Sequence, residues 1–342
     1  MALRNDFPWT QSPLIINAPM GGHAGADLAI AVTRAGGLGQ LSAVYDMAEL
    51  AAGLSKVESA LPRHNDLLPV GVGFLPFIVK MDEALPVIEK YRPAVVWLFA
   101  AKELEDYARC AERIRKVTPG SQIWVQVGSV AAALTIAEQC KPDAMCVQGI
   151  DAGGHGFEKG AGIVSLLPEV SDALTAAGHG SIALLASGGI TEGRGAAAAF
   201  ALGAQGVVMG TRFLSAPETQ LHPVYRKAIL AAKDGGQNTI RAKLFDELRG
   251  PNIWPLPYDG RSVVTESFTE HIGGAGIEEI RRLHAEAGKA EDGGYGLDGK
   301  GRTAMWAGTG VGLVKREQPA ADIVEEVRRQ VIDVLERTRS ML

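Results

Sequence analysis

Eight short apolar runs alternate with helix-patterned stretches over the first 211 residues of this 342-residue chain, and no other feature constrains its fold as tightly. The runs are Leu14–Met20, Leu38–Leu41, Leu68–Phe74, Ala94–Phe99, Gln122–Val127, Ala144–Gln148, Ile182–Ser187 and Gly206–Gly210. Their hydrophobicity is continuous rather than alternating, which marks strands buried on both faces, as in parallel sheets. Between them, helical spacing runs over Ala26–Ala35, Met47–Ala60, Glu83–Tyr91, Glu103–Val117, Ser129–Gln139, Leu166–Ala177 and Gly193–Leu202. Several of these stretches close with Gly or Pro, where a helix should stop. Eight strand–helix units predict an α/β chain folded as a (β/α)8 barrel of the TIM type. A doubly wound sheet also alternates but uses fewer strands. No GxGxxG follows the first run, which weighs against a dinucleotide fold.

After Phe213 the pattern changes. Residues 215–300 are richer in charge and helix formers, as in Val224–Lys233 and Ile277–Ala287, and show no convincing strand series. A run of Gly and Asp at 292–300 reads as a mobile loop. The expected organisation is a barrel from 1–214 and 301–342, closed by an amphipathic helix at Asp322–Arg339, with 215–300 as a helical insertion capping its top.

Composition narrows the function classes. A net charge of −5 offers no electrostatic reason to expect nucleic acid or an anionic membrane. Gly, Pro or charge breaks every apolar run short of the roughly 18 residues a membrane span needs. The opening residues Met1–Asp6 lack the apolar core of a secretion signal. Cys110, Cys140 and Cys146 are odd in number and form no CxxC, so neither a disulfide framework nor a thiolate zinc site is indicated. A reducing compartment, the cytoplasm, is expected. The terminal Ser340-Met341-Leu342 echoes a peroxisomal address but lacks its basic middle residue, so a frayed helix end is the preferred reading.

Three glycine-rich turns follow apolar runs: Asp151-Ala152-Gly153-Gly154-His155-Gly156, Ala186-Ser187-Gly188-Gly189-Ile190 and Met209-Gly210-Thr211-Arg212. Glycine lets backbone N–H groups approach a ligand that a Cβ would hold away. In a barrel the ends of the last two strands commonly build a phosphate site, and Ser187-Gly188-Gly189 and Gly210-Thr211 fall there. Ser187 and Thr211 could add hydroxyl donors. At the end of the first run, Met20 and Gly21 can line the face of a planar ring. Gln126 and Gln148, near the ends of the fifth and sixth, can bond a heteroaromatic edge, although either alone is also compatible with an ordinary polar cap. A planar heterocycle joined to a phosphate is what such contacts would hold, and FMN fits that description. His155 is the one His inside a glycine-rich strand-end turn, where imidazole can exchange protons near neutral pH, so it is the expected catalytic or substrate-positioning group. His23 is a weaker rival. His64, His179, His222, His271 and His284 are expected at the solvated surface, and no His–carboxylate spacing suggests a catalytic metal.

The motifs Ala18-Pro19-Met20, Ala35-Gly36-Gly37-Leu38-Gly39, Gln148-Gly149-Ile150-Asp151-Ala152-Gly153-Gly154-His155-Gly156, Ala186-Ser187-Gly188-Gly189-Ile190 and Met209-Gly210-Thr211-Arg212-Phe213 resemble those of the nitronate monooxygenases, formerly 2-nitropropane dioxygenases. The likeness spans about residues 12–216, with a weaker echo at Trp306-Ala307-Gly308. It implies a TIM barrel holding FMN without a covalent link. Gln148, Gly153 and Gly154 would contact the flavin, Gly188, Gly189, Met209, Gly210 and Thr211 its phosphate, and His155 would serve catalysis. The implied activity is oxidative denitrification of alkyl nitronates, with nitroalkanes as a further substrate class, using O2. The implied products are carbonyl compounds and nitrite. Where many members carry Asn after the third strand's Gly-Val, this chain has Gly73. Rival readings are an NAD(P)H-dependent FMN reductase acting on quinones or enoyl thioesters, and a non-catalytic flavin-binding protein. The helices of 215–290 could form a homodimer face.

Overall fold

The computed structural model describes residues 3, 6–43 and 46–341, so Leu342 of the terminal tripeptide and most of the opening segment lie outside the described residues. Among the described residues there are eleven strands: β1 Ile15–Asn17, β2 Gly39–Ala43, β3 Leu68–Phe74, β4 Pro93–Leu98, β5 Gln122–Val127, β6 Ala144–Gln148, β7 Gly154–Phe157, β8 Ala183–Ser187, β9 Gly206–Met209, β10 Thr239–Ala242 and β11 Tyr258–Val263. Eight of them form one parallel sheet in the order β1-β9-β8-β6-β5-β4-β3-β2. A parallel bridge between Ile16 and Leu38 brings the two ends of that sheet together. The eight apolar runs are these eight strands, and the TIM-type barrel is the fold.

Strand periodicity sorts the side chains into two cores. In β4, Val95 and Trp97 point into the barrel with Trp124, Cys146, Leu185 and Val208 from neighbouring strands. Their neighbours Val96, Leu98, Val125, Met145, Val147, Ala186 and Val207 point out against the helices. Phe7 belongs to the inner cluster and meets Trp124 edge to face at 5.9 Å between ring centroids. Both layers are dry, which is why the strands read as unbroken apolar runs.

The helices start where side chains supply caps. Asp46 accepts from Ala48 N and Glu49 N, Ser129 from Ala132 N, and Glu192 from Gly195 N, each satisfying amides that the first helical turn leaves free. The last helix, Ala320–Arg339, buries Ile323, Val324, Val327 and Val331, and Gly193 lets it approach the Gly193–Ala201 helix. Among the described residues no helix is long and apolar enough to cross a membrane.

The segment after β9 carries helices where they were expected, Pro223–Ala231 and Ile277–Ala287, and a further one at Glu266–Ile272. It also holds two strands that the sequence pattern did not predict. β10 and β11 form an antiparallel sheet with β7, in the order β10-β11-β7. Their signal was hidden because they are short and polar, reading TIRA and YDGRSV, and because one partner lies about a hundred residues upstream. Likewise, the end of the first glycine-rich turn is not a free loop: Gly154–Phe157 is the edge strand β7.

Close backbone packing at the start of β2 makes a direct test. A Cβ on Gly39 would lie 2.1 Å from the Ala29 carbonyl oxygen, on backbone that cannot rotate away. Gly39→Ala should destabilise the chain by about 1–3 kcal/mol, the usual cost of overpacking a rigid site. Urea unfolding midpoints of the two proteins check this.

Candidate active site

The C-terminal ends of the barrel strands open into one cavity of about 1050 Å³. That is the upper end of the range for small-molecule sites, roughly 300–1,000 Å³. Met20, Gly21, Gln126, Gln148, Gly153, Gly154, His155, Ser187, Gly188, Gly189, Gly210 and Thr211 all line it. Met209 does not: it is fully buried in the outer core. Alternation along β9 explains this, since Val208 points in and Met209 points out.

At one end of the cavity the glycine turns form a cradle of main-chain groups. Gly188 and Gly189 adopt φ of 105° and 73°, which L side chains rarely occupy. A Cβ on Gly188 would also sit 2.7 Å from the Gly149 carbonyl oxygen. A fourth glycine-bearing segment, Ala307–Gly310, returns from the C-terminal part of the chain to complete the cradle. Gly308 N donates to Thr211 Oγ1 at 3.0 Å, and Thr309 donates through its N and Oγ1 to the Asp151 carbonyl and carboxylate. Gly153 must be glycine because Ala307 and Gly308 pack on it with backbone atoms 2.3 Å from any Cβ. Thr191, which the sequence reading passed over, is buried here with its hydroxyl unpartnered.

Deeper in the cavity lie Gln126 and Gln148. The amide of Gln148 donates to the His155 carbonyl at 3.2 Å, while its Oε1 is buried with no partner. A buried acceptor left open costs about 1–3 kcal/mol, a cost that an N–H donor from a ligand would remove. Gly73, the departure from the family pattern, has a local cause. A Cβ there would lie 2.5 Å from Pro19 Cβ, in the turn that carries Met20. Below the rim, burial pushes the Cys146 thiol well above its ordinary range, so it is not a reactive thiolate.

His155 stands on β7 over the cavity. Its Nε2 lies 2.6 Å from Asp246 Oδ1. Its ring is stacked on Trp254, with centroids 3.6 Å apart and planes 7° from parallel, and Trp306 flanks it at 4.8 Å. Phe245 packs edge-on against Trp306. None of these partners carried a motif: Asp246, Phe245 and Trp254 belong to the insertion, and only Trp306 fell within a noted echo.

Further aromatic and polar residues line the same cavity. Tyr225 meets Tyr295 and His23, and its hydroxyl donates to the Trp306 carbonyl at 3.0 Å. His23 uses Nδ1 on the Gln220 carbonyl at 2.8 Å and touches none of the His155 cluster directly among the described contacts. His284, expected at the surface, is instead 7% exposed and lines the cavity. Its helix, Ile277–Ala287, is charged on one side and buries Ile280 and His284 on the other, and the charge hid that inner face.

Three comparisons bear on this site. The family model described as "Nitronate monooxygenase" matches residues 79–330. The nitronate monooxygenase npaC of Metarhizium robertsii is 41% identical across 98% of this chain and 95% of its own. The nitronate monooxygenase of Neurospora crassa is 35% identical across 99% of this chain and 94% of its own. Among solved structures, FabK from Thermotoga maritima superposes with a TM-score of 0.77 over 100% of this chain and 99% of its own, at 23% identity, a likeness of fold.

Burial, and then the Arg249 charge, hold the His284 pKa below its ordinary 6.5. The unfolded chain therefore takes up this proton first. The stabilisation is complete above 6.5 and is lost as pH falls through the lower folded-state value. His284→Gln should flatten the decline in unfolding midpoint between about pH 7 and about pH 5. Denaturant titrations at both pH values measure the difference.

Proposed function

The chain belongs to the nitronate monooxygenase family, and from that premise we propose that it oxidises alkyl nitronates with O2 to carbonyl compounds and nitrite, using FMN held on the barrel rim. The observation that carries the reading is a single cavity that joins a cradle of main-chain groups, a buried acceptor without a partner among the described residues, and a held imidazole. The family is one of flavoenzymes, and the residues present fit FMN in particular. The amides around Gly188, Gly189, Gly210 and Thr211 suit its phosphate, with the free hydroxyl of Thr191 beside them. Gln148 Oε1 is available to a ring N–H, and Met20 and Gly21 can lie along a ring face. When bound, FMN would supply the redox chemistry that takes electrons from the nitronate for O2.

The chain's own groups do the rest. His155 faces the substrate from the cavity wall, where its imidazole can exchange a proton with it. Trp254, Trp306 and Phe245 keep water from the reacting carbon. When a neutral nitroalkane enters, His155 takes the proton from its α-carbon, so the substrate becomes the nitronate in place.

Two measurements test this. Anaerobic mixing of the yellow holoprotein with propyl-2-nitronate should bleach the flavin band, and admitting air should release nitrite. Bleaching by NADH alone, with none by the nitronate, would make the protein a reductase instead. Separately, His155→Asn should lower nitroalkane turnover on the order of 10²–10⁴-fold, the range for loss of a general base, while sparing nitronate turnover. Equal loss on both substrates would remove the base role.

A further inference from the structure

Asp246 reaches His155 from outside the barrel, and the pair differs from a surface ion pair. Their side chains are 7% and 17% exposed, and the Nε2–Oδ1 distance is 2.6 Å. By contrast, His179 and Glu138 sit 3.2 Å apart with the carboxylate 77% exposed. Asp246 is also held from behind. It lies in the short helix Leu244–Glu247, whose end is pinned by Arg281 donating from Nε to the Glu247 carbonyl at 2.8 Å and from a terminal nitrogen to Gly250 at 3.1 Å. The second oxygen, Oδ2, is buried without a partner, so the carboxyl is committed to the imidazole alone.

A carboxylate only accepts hydrogen bonds, so its partner Nε2 must carry the proton. In the neutral ring the lone pair then sits on Nδ1. Nδ1 has no partner among the described residues and is not sealed from solvent, while the ring lines the cavity. The face-to-face stack on Trp254 holds the ring plane that keeps Nε2 on Asp246.

We propose that Asp246 is a positioning residue that fixes the Nε2–H tautomer of His155 and commits Nδ1 as the nitrogen that meets the substrate. The inference rests on the reading of His155 as the base toward nitroalkanes. In that step the α-carbon–hydrogen bond breaks, its electron pair stays on the substrate as the nitronate, and the proton ends on Nδ1. The resulting imidazolium keeps its Nε2–H on Asp246, where the opposite charge stabilises it. The cap is therefore part of the catalytic apparatus: the barrel supplies the imidazole and the inserted segment decides which nitrogen works.

The test is 15N NMR of the holoprotein labelled in histidine, with His155→Asn assigning the resonance and Asp246→Asn probing the pair. The wild type should show a slowly exchanging Nε2–H at His155 and a non-protonated Nδ1. Asp246→Asn should lose that protection and lower nitroalkane kcat on the order of 10–100-fold, as loss of an orienting partner does elsewhere, with KM and nitronate turnover near wild type. Retained flavin absorbance would show that this variant is folded, and the wild-type spectrum stands without it. A proton found on Nδ1, or an Nε2–H indifferent to Asp246→Asn, would overturn the inference. If His155→Asn abolishes nitroalkane turnover and Asp246→Asn does not lower it, the inference alone fails. If His155→Asn leaves that turnover intact, the base reading itself fails and takes the inference with it.

Discussion

A short antiparallel ladder between Gly154–Phe157 and Tyr258–Val263 couples the barrel to the segment that covers it. His155 pairs with Gly260 in this ladder, so the residue facing the cavity is held by backbone bonds on the cap side and by Gln148 on the barrel side. Trp306 lies where a Cβ on Gly260 would be, only 2.4 Å away, so the aromatic flank of His155 depends on that glycine too. Without the ladder, the imidazole would end a flexible glycine turn. With it, ring position, ring plane and hydrogen-bond partner are all set by packed structure.

The same economy governs the end of the cavity built by the glycine turns. The glycines there permit left-handed backbone at Gly188 and Gly189, but they also admit a second chain segment. Ala307–Gly310 fits against Gly153 and Gly189 because none of the three turns presents side-chain bulk. Asp151 anchors it through two hydrogen bonds from Thr309, and Thr211 through one from Gly308. The cradle thus joins three strand-end turns to a stretch of chain 97 to 158 residues further on, and removing bulk at one point serves close backbone approach and chain packing together.

Most of the barrel was legible in the sequence, and so was most of its rim. Strands such as Val95–Leu98 and Met145–Val147 are apolar on both faces because both faces are dry, which makes them stand out from the amphipathic helices between them. Their order then assigns Gln148, Ser187 and Gly210 to one rim, since parallel strands end on one side. Met209 shows the limit of that logic. Its place in a motif put it in the site, but alternation along β9 turns its side chain to the outer core.

What the sequence determined by itself is the barrel, the glycine turns at its rim and His155 among them, because these follow from local pattern and from the shared direction of parallel strands. Only the tertiary structure decided what surrounds that histidine. Asp246, Trp254 and the inward-facing His284 sit in charged or proline-rich stretches whose local pattern is that of a surface. Their inward placement goes with β11 pairing on β7, a strand that lies far upstream, and with β10 pairing on β11. Long-range pairing leaves no periodicity to read, so the half of the site contributed by the cap becomes visible only once the chain has folded over its own barrel.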